Sequence, residues 1–238
     1  MYKCFNEILD AEGKSITLAT LYNSVLGTNF NLTASTNRMP VDFDKREYWH
    51  ERFSSETKFE WLITSERFMA ILEPLLSQLP KTSRILQLGS GNSDLHNHLR
   101  ACGFANVTNI DYEPLAIERG RQLEKLAFGD VRMRYLVADA TEIDPTSLCS
   151  EGRFDLVVDK STADALSCGG NEAVMDMLRG VKECLDAEHG KWVSVSYSEH
   201  RFSLDENPFH VDVMHKVPTP KRLETDPDIF HWCYMLSP

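Results

Sequence analysis

No run in this chain is long and apolar enough to read as a membrane span, and its start, MYKCFNEILDAEGKS, lacks the basic and apolar blocks of a signal peptide. Both absences point to the cytosol, with the nucleus as the alternative, and to no membrane partner. Cysteine is thinly spread. Cys4, Cys102, Cys149, Cys168, Cys184 and Cys233 form no CxxC pair, which argues against a zinc site or a disulfide framework and for free thiols. The histidines lack ligand spacing too: His96 and His98, two apart on an expected helix, point in different directions, so no metal is expected.

Basic charge is also in deficit. Lys and Arg number 25 against 36 Asp and Glu, a formal net charge of -11, which speaks against a nucleic-acid partner. It suits a basic protein partner, and equally a chain that is only being kept soluble. There is no internal repeat and no low-complexity segment. A chain of 238 residues is long enough for one sizeable domain. We read residues 48–238 as that domain, residues 1–47 as an N-terminal extension with GTNFNLTASTNRMP as loop, and the whole as a monomer.

What is present begins with aromatics: Tyr48, Trp49, Phe53, Phe59 and Trp61 within one short segment. SERFMAILEPLLSQLP follows with Phe68, Ile71, Leu72, Leu75 and Leu79 at helical spacing. Ser65 is the expected N-cap, Pro74 an expected kink or division, and Pro80 the stop. An alternation comes next. RILQLG, NVTNID, VRMRYLVAD, RFDLVVDK and KWVSVSYS read as strands. SDLHNHLRACGF, EPLAIERGRQLEKLA and NEAVMDMLRGVKECLDAEHG read as helices. The first helix places Leu95, Leu99 and Cys102 on one face, and the last stops at Gly190. FHVDVMHKVPTP and IFHWCYMLSP, with no helix between them, read as an antiparallel pair at one edge. The expected fold is α/β: a doubly wound, mostly parallel, seven-stranded Rossmann-like sheet with an antiparallel C-terminal strand pair and an N-terminal helical extension.

RILQLGSGNSDL carries a glycine loop between strand and helix. Ligands of such sheets bind at the carboxyl ends of the strands, where Asp111, Asp139 and Asp159 fall. Asp111 lies twenty residues beyond Gly91, the place where an acid takes two ribose hydroxyls. A dinucleotide is disfavoured, because the third glycine is absent and Asp94 would stand beside the pyrophosphate. A P-loop is excluded, since no GK[ST] follows the glycines. A ligand with a ribose and an adenine, no phosphate and a positive centre fits, and S-adenosyl-L-methionine meets those conditions.

The segments YWHERF, FEWL, ILQLGSGNSDL, VTNIDYE, VADATEI and FDLVVDKSTADAL resemble the seven-stranded class I methyltransferases. Within them the likeness is greatest to the group containing the lysine methyltransferases of elongation factor 1-alpha. The likeness implies that Trp49, Phe53 and Trp61 close over the cofactor, and that Gly89 and Gly91 admit its methionine portion. Asp111 would hold the ribose hydroxyls, Tyr112 would lie beside the adenine, Asp139 would face its amino group, and Ala140 would leave room for the ring. Asp159 and Lys160 would line the floor near the methyl group. Two departures stand out: Gln87 where many members carry an acid, and Ser161 where a glycine is frequent. The expected reaction is protein-lysine N-methylation of a basic protein such as elongation factor 1-alpha, with a small-molecule O-, N- or S-methyltransferase as the alternative. Asp159, and less strongly Asp164, is the candidate for orienting the amine.

Overall fold

The computed structural model describes residues 43–221 and 223–238, together with a short antiparallel pair, Ile8–Leu9 with Ser15–Ile16. The loop expected over 27–40 and most of the extension expected over 1–47 lie outside the described residues.

Seven strands make the main sheet: β1 Ile85–Leu88, β2 Val107–Asp111, β3 Arg134–Val137, β4 Leu156–Lys160, β5 Lys191–Ser196, β6 His210–Pro218 and β7 Phe230–Ser237. Their order is β3-β2-β1-β4-β5-β7-β6. The first five are parallel, with Gln87 beside Val158 and Leu88 beside Asp159 across β1 and β4. β7 returns antiparallel to β5 and pairs with β6, so the last two apolar runs form the expected antiparallel pair. Strand order reverses between β1 and β4, and a crevice opens there outside the carboxyl ends of the strands.

Side chains alternate across the sheet and feed two cores. One contains Leu86, Leu88, Val157 and Trp192. The other contains Ile85, Val158, Val193 and Val195. Against the first lie α5 (Pro145–Leu148), α6 (Thr162–Ser167) and α7 (Asn171–Cys184). Against the second lie α2 (Ser65–Leu76), α3 (Leu95–Ala101) and α4 (Pro114–Phe128). α1 (Arg46–Ser55) has no fully buried residue in spite of its aromatics, because it lies over the crevice and not over a core.

Several boundaries differ from the sequence reading. Thr64, not Ser65, caps α2, accepting from the Arg67 N–H at 3.3 Å. The helix runs unbroken through Pro74, whose carbonyl accepts from Ser77 Oγ and Gln78 Nε2. Cys102 is exposed, because α3 has ended and the chain is turning into Gly103 at φ 93°. α7 stops at Cys184 and not at Gly190, since Leu185 extends to bridge Phe154 and bury itself.

Candidate active site

The centre of the site is the loop after β1. Gly89 and Gly91 both have φ of 54°, a conformation that favours residues without a Cβ. At Gly89 space is short as well: an added Cβ would stand 2.3 Å from Thr162 Oγ1, which donates to the Leu88 carbonyl. The Gly91 N–H donates to Asp111 Oδ2 at 2.9 Å, and the Glu113 N–H donates to Asp111 Oδ1 at 2.9 Å. The acid at the end of β2 therefore holds the loop in shape. Burial pushes its pKa up to about 6, against the pull of those two N–H donors.

A strap formed by α1 and residues 56–64 lies across the loop. Asn92 Nδ2 donates to the Glu56 carbonyl at 3.0 Å, and Arg119 Nε to the Thr57 carbonyl at 3.1 Å. Lys58 Nζ pairs with Asp94 Oδ2 at 2.7 Å, so the carboxylate standing where a third glycine was missed has its cation within the protein. His50 Nδ1 meets Glu113 Oε1 at 3.0 Å. The aromatics of the strap pack tilted or edge to face on one another: Trp49 lies 5.5 Å from both Phe53 and Trp61, and Phe59 lies 5.0 Å from Trp61, ring centre to ring centre. The Arg52 guanidinium sits 4.6 Å over both Phe59 and Trp61.

Between strap and loop is a narrow cleft, walled by Phe59 and Trp61 on one side and by Gln87, Lys160, Leu95 and residues 89–93 on the other. Two of its polar atoms, Gln87 Oε1 and Ser90 Oγ, are buried without a hydrogen-bond partner, on residues only 3% and 5% exposed. An orphaned buried acceptor costs about 1–3 kcal/mol, and these two belong to residues that line the cleft. In the sequence Gln87 stands out as a departure from the acid that many members carry. Its real signal was a polar residue inside an otherwise apolar buried strand. Ser90 and Phe59 had no such signal.

The residues expected to bind cofactor divide by place. Gly89, Gly91, Trp61 and Lys160 line the cleft. Phe53 stands over the loop, its Cζ 3.9 Å from where a Gly91 Cβ would be, and lines an adjoining open hollow. Trp49 supports Phe53 and Trp61 from behind, and its Nε1 donates to the Phe43 carbonyl at 2.7 Å. Tyr112, Asp139 and Ala140 sit at the ends of β2 and β3, beside the cleft and not in its wall. Arg46 lies 5.8 Å over the Tyr112 ring, and Asp139 Oδ1 accepts from the Thr141 N–H and hydroxyl at 2.8 and 2.7 Å.

Asp159 and Asp164, the candidates for orienting the amine, both turn into the protein. Asp159 follows the strand alternation onto the face of Val157, where its Oδ2 accepts from Trp192 Nε1 at 2.9 Å and burial pushes its pKa up to about 6. Asp164 is buried in α6. Its Oδ1 accepts from Ser196 Oγ at 2.5 Å and Arg201 Nε at 2.8 Å, and its Oδ2 from the Tyr197 N–H at 3.0 Å. Both carboxylates are committed inside the protein. Ser161 has φ of 70°, which explains why a glycine suits its position, and its hydroxyl donates to Asp164 Oδ2 at 3.3 Å.

A sheet in the order 3-2-1-4-5-7-6, a glycine loop after its first strand and an acid locking that loop define the class I methyltransferase fold. The methyltransferase-domain family matches residues 79–205. A Neurospora crassa protein named methyltransferase srdJ is 56% identical over 205 residues, which are 86% of this chain and 87% of that protein. EEF1A lysine methyltransferase 4 of Mus musculus is 34% identical over 127 residues, 52% of this chain; the chain covers only 46% of that relative's length. Among solved structures, the N-methyltransferase NodS of Bradyrhizobium japonicum, in complex with S-adenosyl-L-homocysteine, superposes with a TM-score of 0.60 at 16% identity, covering 81% of this chain and 97% of its own. The chain therefore belongs to the methyltransferase-domain family and is a class I, S-adenosylmethionine-dependent methyltransferase.

Proposed function

We propose that the cleft holds the amino-acid end of S-adenosyl-L-methionine and that the chain transfers its methyl group to a nucleophile of a protein or a small molecule. The observation that carries this is the pair of orphaned atoms, Gln87 Oε1 and Ser90 Oγ, in the wall of the cleft. Gln87 Oε1 would accept from the cofactor's ammonium. Ser90 Oγ and the backbone freed by Gly89 and Gly91 would take its carboxylate. Asp111 would accept from the ribose hydroxyls, already braced by two N–H donors. Tyr112, Asp139 and Ala140 would surround the adenine, and Trp49, Phe53 and Trp61 would close the strap and exclude water.

The cofactor supplies a methyl carbon activated by its sulfonium. What remains for the protein is to orient the acceptor and keep water out. Two acceptors are favoured by different observations. The match to a lysine methyltransferase and the net charge of -11 favour a lysine of a basic protein such as elongation factor 1-alpha. That amine must first lose a proton held with a pKa of about 10.4. The internal commitment of Asp159 and Asp164 favours the second, a small molecule with an O, N or S nucleophile, because neither carboxylate is left to receive an ammonium.

Labelled methyl groups from S-adenosylmethionine, supplied with a cell extract separated into protein and small molecules, decide between them, with Asp111→Ala as control. Label in one protein band, lost in the variant, supports the lysine reading. Label only among small molecules supports the other. Absence of cofactor binding by the unaltered protein would refute both.

A further inference from the structure

A buried ion pair ties the strap to the floor of the cleft across a hundred residues of sequence. Lys160 Nζ is held by Glu60 Oε2 and donates to the Ile63 carbonyl at 2.9 Å, while Ser65 Oγ donates to Glu60 Oε1 at 2.7 Å. The two side chains are 6% and 18% exposed. The backbone turns left-handed close by each partner, with φ of 62° at Leu62, two residues on from Glu60, and 70° at Ser161, next to Lys160. Side chains with a Cβ rarely take that conformation, and it persists where the surroundings impose it, often at functional sites. Among the described residues that line the cleft, Lys160 is the one that carries charge. Burial pulls its pKa down, and Glu60 foremost, then Asp94 and Glu66, offset only part of that.

This ion pair has a particular meaning in a cleft for S-adenosylmethionine, on which reading the inference rests. The cofactor arrives as a sulfonium and leaves as a neutral thioether, while its amino-acid end is the same before and after. An unpaired ammonium in the wall would repel the first form and not the second. We propose that Glu60 is a positioning residue which, by neutralising Lys160, sets the preference of the cleft for the sulfonium cofactor over its demethylated product. Glu60 lies on the strap, so the strap's seat over the loop and the cancellation of the lysine charge depend on the same contact.

The ratio of dissociation constants for S-adenosylmethionine and S-adenosylhomocysteine, measured by calorimetry on one preparation, tests this. Glu60→Gln should weaken the sulfonium form relative to the thioether by about tenfold, the scale of one partly screened charge interaction. Lys160→Met leaves Glu60 unopposed and should move the ratio the other way by a similar factor. The double variant should return it close to the original value. A purely structural latch would weaken both ligands together and leave the ratio unchanged. An unchanged ratio in Glu60→Gln, or a shift in the same direction in both single variants, overturns the proposal. If the unaltered protein binds neither ligand, the cofactor reading itself fails, and this inference with it.

Discussion

The Gly91 N–H donates to Asp111 Oδ2 at 2.9 Å, joining the glycine loop to an acid twenty residues further on. The carboxylate assigned to a ribose is thus also the brace of the loop that carries the amino-acid end. Cofactor affinity should follow its ionisation. With the pKa raised by burial to about 6, the charged acceptor is lost below that pH, so affinity should rise from about pH 5 to about pH 7. Asp111→Asn should bind at least about tenfold more weakly, since bonds to a charged acceptor are worth about 1.5–3 kcal/mol, and its pH profile should be flat. Calorimetry across that range is the measurement. A wild-type profile that does not change through pH 6 would remove Asp111 from the ribose.

Gln87→Met should separate binding from stability. The substitution removes an orphaned buried acceptor at nearly constant volume, so the cofactor-free protein should melt higher, by an amount corresponding to about 1 kcal/mol. Cofactor affinity should fall in the same variant. A lower melting temperature together with unchanged affinity would show that the side chain only fills space.

The two loop glycines should respond differently to alanine. Gly91→Ala meets nothing closer than 3.9 Å and should cost about 1–2 kcal/mol for its left-handed backbone alone. Gly89→Ala carries the same backbone cost and also forces Thr162 Oγ1 aside from 2.3 Å, breaking its bond to the Leu88 carbonyl. Denaturant unfolding should therefore show the larger loss for Gly89→Ala. Equal losses would mean that the Thr162 contact is unimportant.

Asp159→Asn should retain methyl transfer within a few-fold, because the side chain points to Trp192 and away from the cleft. A general base would lose about 10²–10⁴-fold on the same change, and a loss of that size would restore Asp159 to the chemistry. The variant also has a signature in stability. Burial raises the folded pKa to about 6, so the folded protein holds this proton more tightly than the unfolded chain does. Its contribution is fully present below the unfolded value of about 3.9 and is lost as pH rises through about 6. Asp159→Asn should flatten that part of the melting-temperature profile.

Local pattern made much of the molecule legible. Alternating apolar runs and amphipathic stretches gave seven strands in the expected sense, and the final pair was expected antiparallel because no helix separates its members. The spacing from Gly91 to Asp111 was readable for the same reason: strand, loop, helix and strand are contiguous, and their geometry is nearly independent of the rest of the chain. The errors arose where a side chain's role depends on distant partners. Pro74 stayed within α2, in the last turn before the helix ends at Leu76, and Cys102 lost its buried face because α3 stopped early.

By itself, then, the sequence determined a doubly wound sheet, its glycine loop and the acids at its strand ends, since these follow from periodicity and short-range spacing. Only the tertiary structure decided which of those acids meet the cleft. Alternation along β4 turns Asp159 toward Trp192 and Lys160 toward the strap, while Arg201, thirty-seven residues on, takes Asp164. Those choices are made by desolvation and pairing. A buried charge must find its partner wherever the fold brings one, however far away that partner lies in sequence.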